Sequence, residues 1–187
     1  MYNCESCVGS AVVGEALLQT TAFDALSAPA AEALLRAACA SSAWIEAMVI
    51  GRPYGSFDAL AARSDETLAG LTWPDLEEAL AAHPRIGDRA GGEDRAGGED
   101  RAATWSREEQ SGTGAAQADV AAALRDGNAE YEQRFGHIFL ICATGRTAEQ
   151  LLTALRERLA NDDPAEREVV RRELTAIVRL RLAKTFE

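Results

Sequence analysis

A succession of short apolar stripes at helical spacing, each closed by a proline or glycine stop, restricts this chain to a helical fold. Leu34, Leu35 and Ala38 fall on one face of a helix over 29–39, and Trp44, Ile45, Met48 and Val49 make a second. Ser41 or Ser42 would cap that second helix, and Gly51-Arg52-Pro53 ends it. A helix over 56–71 turns Phe57, Leu60, Ala61 and Leu68 inward. Thr72-Trp73-Pro74-Asp75 then opens another, with Pro74 in its first turn. Leu17, Leu18 and Phe23 give a weaker helical pattern ahead of these. Aromatic residues are only 6% of the 187, whereas alanine, the best helix former, is frequent. The expected fold is all-α, a single-domain helical bundle over 15–187 that follows a loose N-terminus over 1–14.

The second half begins with two tandem copies of Arg-Ala-Gly-Gly-Glu-Asp over 89–100. Their four glycines and six charges cannot bury apolar surface, which predicts a flexible loop over 89–102. Ser106 with Glu109 is a capping-box pattern for a helix that runs through Leu124 and Tyr131 to Phe135, with Gly136 as its stop. Ile138 to Ala143 is apolar and β-branched, and reads as a short buried extended segment. Thr147 and Gln150 form another capping box, ahead of Leu151, Leu152, Leu155 and Leu159. Asp163-Pro164 opens the last helix, with Val169, Val170, Leu174, Ile177, Leu180 and Phe186 as its apolar stripe.

Charge and cysteine usage exclude several functions. The formal net charge is −11 and no Lys/Arg cluster occurs, which argues against a nucleic-acid partner. No run of about 18 apolar residues is present to span a membrane, and no signal-peptide pattern opens the chain. Cys4 and Cys7 form a CxxC, but no second pair completes a zinc site and no βαβ pattern surrounds it. A reducing cytoplasm is the expected compartment. Phosphate loops, dinucleotide fingerprints and helical metal-ligand pairs are all absent, so neither a cofactor nor a metal is expected.

Chemistry concentrates at Ala82-His83-Pro84-Arg85-Ile86-Gly87. Histidine titrates near neutrality and serves readily as an acid or base, and Pro84 halts the helix at His83. The same residues also suit a plain polar helix terminus. Ser106 and Glu109 read from their spacing as a plain cap, a reading compatible with an anion site at the same helix N-terminus. His137 reads as structural or exposed. Arg179 and Arg181 lie two apart on a helix, so at most one enters any given pocket.

An ordered set of pieces carries a resemblance. They are Cys39-Ala-Ser-Ser-Ala-Trp44, Arg52-Pro53-Tyr54, His83-Pro84-Arg85-Ile86-Gly87, Trp105-Ser106 with Glu109-Gln110, Tyr131-Glu-Gln-Arg-Phe135-Gly136, Phe139-Leu-Ile-Cys142 and Arg179-Leu-Arg181-Leu182. Over roughly 15–186 the chain resembles the OHCU decarboxylase family, which acts on 2-oxo-4-hydroxy-4-carboxy-5-ureidoimidazoline. The resemblance implies a cofactor-free, all-helical carboxy-lyase of urate breakdown, forming (S)-allantoin and acting as a homodimer. It further implies His83 as the catalytic histidine and Glu109 as a catalytic residue that positions the reacting carbon. Pro84, Ser106 and Gln110 would line the site, backbone groups around Phe139 to Ile141 would hold the ring, and Arg181 would contact the anionic substrate. Ile138 stands where the family commonly has proline. The alternative is a helical interaction module that kept the fold without the chemistry.

Overall fold

The computed structural model describes residues 18–86 and 118–186. The described residues form eight helices: α1 (Thr20–Asp24), α2 (Ala28–Ala38), α3 (Ser42–Ile50), α4 (Phe57–Gly70), α5 (Trp73–Ala81), α6 (Ala118–Phe135), α7 (Ala148–Arg158) and α8 (Asp163–Phe186). No strand occurs among them. The expected all-α bundle is the observed one. The tandem loop and the segment carrying Ser106, Glu109 and Gln110 lie outside the described residues.

Local chemistry sets the helix boundaries. Ser41 caps α3 by accepting the Trp44 N–H, and Ser56 caps α4 by accepting the Ala59 N–H. At α5 the Asp75 carboxylate accepts both the N–H and the hydroxyl of Thr72. Thr147 and Gln150 close the predicted reciprocal capping box of α7. The α4 C-terminus receives a cation instead, as Arg171 donates to the carbonyls of Leu68 (2.7 Å) and Leu71 (2.9 Å). Gly136 ends α6 with φ +74°, in the left-handed region that favours glycine.

Two apolar clusters fill the interior. The first joins α1 to α5 with α8, through Phe23, Leu35, Trp44, Met48, Leu60, Leu76, Val170, Leu174 and Val178. The second joins α6 and α7, through Leu124, Tyr131, Leu151 and Leu155. Gly127 allows those two helices to approach, since a Cβ there would meet the Leu155 Cδ2 at 2.5 Å. Residues 138–143 run extended between the clusters. Phe139, Ile141 and Ala143 enter the second, whereas Leu140 enters the first, with Ile138 and Cys142 packed beside it. This period of two is the signature of an extended chain buried on both sides.

One expected core residue is misplaced. Leu180 is 36% exposed, and the α8 stripe runs instead through Glu166, Val170, Leu174, Ile177, Val178, Arg181 and Leu182. Its steps of three and four residues place Leu180 on the flank, and a charged residue occupies the inward position beside it.

The Arg52-Pro53-Tyr54 piece proves to be a brace. Arg52 donates to the carbonyls of Val49, Phe23 and Leu26, and the Asp24 carboxylate accepts the N–H groups of Tyr54 and Gly55. These bonds tie α1 to the turn after α3.

Candidate active site

The helix α5 delivers His83 one residue past its C-cap, Ala82. The His83 N–H donates to the Leu80 carbonyl, and its ring Nδ1 lies 2.9 Å from the Ala79 carbonyl. A carbonyl only accepts, so Nδ1 carries the hydrogen and the neutral ring keeps its lone pair on Nε2. That Nε2 is buried and has no hydrogen-bond partner among the described residues. Burial first, and the positive charge of Arg181 second, lower the imidazole from the ordinary histidine value to about 4, against the opposing Ala79 bond. His83 is therefore neutral at physiological pH, with an acceptor nitrogen that is unpartnered among the described residues.

The segment after His83 is pinned to α6. Pro84 is exposed, and Arg85 forks onto Glu132 at 2.5 and 2.8 Å. Asn128 donates to the Ile86 carbonyl at 2.6 Å, and the Ile86 side chain enters the same cluster as Phe139 and Ile141. The His83 turn and the extended segment thus share one packing unit.

Arg181 reaches the site from α8. It is 3% exposed, lies 3.4 Å from the Ala38 carbonyl, and acts electrostatically on both His83 and Cys39. Cys39 is inert by the same geometry, because burial raises its thiol to about 11. Arg179 points the other way and pairs with Asp65 at 3.2 Å on the surface. The helical period therefore separates the two arginines as expected. An Arg179→Ala variant is expected to change stability by less than about 1 kcal/mol, as an exposed pair should, and to leave turnover at the wild-type rate. Urea denaturation and an activity assay check both.

Phe139 and Ile141 are 1% and 3% exposed, so their side chains serve the packing of the second cluster. Two neighbouring backbone groups are already engaged. Arg158 donates to the Leu140 carbonyl at 2.7 Å, and the Glu173 carboxylate accepts the Cys142 N–H at 2.8 Å. The reading from sequence missed Arg158, Glu166 and Glu173. For Arg158 and Glu166 a signal was available, since both are charges standing on apolar stripes, three or four residues from Leu155 and Val170.

His137 is structural. Its ring meets the rings of Trp73 at 5.0 Å and Tyr131 at 5.4 Å, edge to face. It helps line a cavity of about 210 Å³ with Glu77, Leu80, Ala81, Gly136 and Ile138. His83 is not in that lining. Among the described residues no group of three His, Cys, Asp or Glu side chains is placed to hold a metal. No described helix is long and apolar enough to cross a membrane.

Comparison with known proteins gives the same direction. The profile of the OHCU decarboxylase family matches residues 24–183. The 2-oxo-4-hydroxy-4-carboxy-5-ureidoimidazoline decarboxylase of Amia calva is 34% identical over 71% of this chain and 73% of its own length. The uric acid degradation bifunctional protein TTL of Arabidopsis thaliana is 31% identical over 79% of this chain. That match spans 45% of the Arabidopsis protein, less than half of its length. A solved OHCU decarboxylase, crystallised in the presence of (S)-allantoin, superposes with a TM-score of 0.69 at 29% identity, covering 82% of this chain and 97% of that one. An (S)-allantoin synthase structure shares the fold at a TM-score of 0.65 and 15% identity, over 90% of this chain and 54% of that one. With an ordered motif set, a helical fold and a profile match over most of its length, the chain belongs to the OHCU decarboxylase family.

Proposed function

We propose that this protein decarboxylates 2-oxo-4-hydroxy-4-carboxy-5-ureidoimidazoline to (S)-allantoin in urate breakdown, with His83 as its acid–base residue. The observation that carries the reading is the His83 ring. Its Nδ1–H is spent on Ala79, while its buried Nε2 lone pair has no partner among the described residues and feels the Arg181 charge.

The substrate has a carboxylate and a hydroxyl on one ring carbon, next to a C=N bond. The C–C bond breaks to release CO2; its electron pair forms a C=C bond while the C=N pair moves onto the ring nitrogen, which takes up one proton from solvent to give an ene-ol. The ring imine accepts the pair itself, so the reaction is written without a metal or organic cofactor. The hydroxyl proton then leaves, the carbonyl forms, and a proton is added to the neighbouring ring carbon that bears the ureido group. A neutral Nε2 suits both transfers, taking the hydroxyl proton and returning one to a single face of the ring. The low-dielectric surroundings assist, because the carboxylate sheds its hydration on the way to CO2. Arg181 supplies a largely dehydrated cation that draws the anionic substrate to the imidazole. Glu109, Ser106, Gln110 and Pro84 complete the proposed site by family resemblance, with the 139–141 backbone against the ring.

Two further parts of the reading concern the setting. We propose a reducing cytoplasm as the setting, in which the buried Cys39 thiol stays reduced. The resemblance supports a homodimer, and Ile50, 73% exposed, is an apolar side chain available to an interface. The test of function is kinetic. The ureidoimidazoline is generated in situ from urate, and its decay is followed by NMR with and without the protein. Decay faster than the spontaneous rate, in proportion to added protein, is the expected result. Decay at the spontaneous rate would leave a helical module without the chemistry.

A further inference from the structure

We propose that Arg158 is a positioning residue for this reaction, setting the extended 139–141 segment through a buried ion pair with Glu166. The inference rests on the decarboxylase reading and adds a residue that contacts no substrate.

The Arg158 guanidinium spends its donors on three elements at once. Nε and Nη2 lie 2.8 and 2.5 Å from the Glu166 Oε1 on α8, Nη2 lies 3.2 Å from the Tyr131 hydroxyl on α6, and Nη1 lies 2.7 Å from the Leu140 carbonyl. Glu166, fully buried, also accepts from the Tyr131 hydroxyl and from the Asn161 amide at 2.7 Å. The same guanidinium lies 4.6 Å from the Phe139 ring centroid, which the Tyr131 ring meets edge to face at 5.2 Å. Leu140 and Phe139 are therefore fixed from backbone and side chain by one planar group.

A buried ion pair seldom adds stability over well-packed apolar side chains of the same size. What it does add is direction, because the fork of a guanidinium has one orientation that satisfies all its partners. The non-helical element it reaches is the segment expected to face the ring. If that segment rises or tilts, the reacting carbon moves relative to His83. Misplacement of about 1 Å costs on the order of a hundredfold in rate.

The test uses two variants. Tyr131→Phe/Arg158→Met/Glu166→Leu removes both charges together, so no buried ion is orphaned. Arg158→Lys keeps the charge opposite Glu166 but lacks the fork that also holds Leu140. Each is assayed well below its melting temperature, at protein concentrations that outrun the spontaneous reaction. The expected result is a fall in kcat of about ten- to a hundredfold with reduced enantiomeric excess of the allantoin, while helical circular dichroism stays intact. If one variant does not fold, the other decides. A folded variant with wild-type kcat and wild-type enantiomeric excess, lowered only in Tm, would make Arg158 a stability residue and overturn the proposal. Wild-type protein that gives no enantiomeric excess at all would overturn the decarboxylase reading beneath it.

Discussion

His83→Asn is expected to lower kcat by about 10²- to 10⁴-fold, the usual contribution of a positioned acid–base group. Asparagine is the informative replacement. Its side-chain amide overlies the Nδ1 side of an imidazole, so it can keep the bond to the Ala79 carbonyl that anchors the turn. It has nothing at the Nε2 position, where the unpartnered acceptor stands. Fold and chemistry are thereby separated. Helical circular dichroism and Tm should stay close to wild type while turnover falls by that factor. An equal loss of Tm and activity would mean that His83 serves as a helix terminus and nothing more.

Arg181→Met should give the next largest effect, a loss of roughly two orders of magnitude in kcat/KM. Removing one member of a desolvated charge pair with the substrate costs on the order of 3 kcal/mol. Methionine fills similar space at this buried position, so the fold should tolerate it. The pH profile supplies a second signature. The required form of His83 is neutral, so kcat/KM should hold as pH falls and be lost only through the folded-state value of about 4. Arg181 is one of the two causes that depress that value. Without it the acid limb should move upward, toward the ordinary histidine value of 6.5, while burial keeps it from arriving there. An unmoved limb in the variant would place Arg181 away from the imidazole.

Much of the fold around the candidate site was legible in the amino-acid order, for reasons that are local. The separation of Arg179 from Arg181 follows from the 100° step of a helix, and the surface pair with Asp65 and the buried position bear it out. The Thr147–Gln150 box and the Gly136 stop were readable because caps and left-handed turns depend on two or three neighbouring residues. The extended 138–143 segment was readable from its apolar, β-branched content, although only packing shows that it is wedged between two clusters.

What stayed hidden depends on contacts across the chain. Arg158, Glu166 and Tyr131 sit on three different helices, and no spacing rule joins them. Leu180 was assigned to the core because it is apolar, whereas the buried stripe takes Arg181 in its place. The useful correction is that a charge recurring in register with leucines marks a buried ionic site. Of three such residues, Arg158 bonds the Leu140 carbonyl, Glu166 holds Arg158, and Arg181 acts electrostatically on His83.

The most direct measurement is the handedness of the product. Urate is oxidised and hydrolysed in situ, and the circular dichroism of allantoin is followed with wild-type protein, with His83→Asn and with none. A decarboxylase acting through His83 gives rapid (S)-allantoin with wild type alone, and slow racemic product in the other two. The same slow racemic product in all three, or (S)-allantoin from His83→Asn at the wild-type rate, would contradict it.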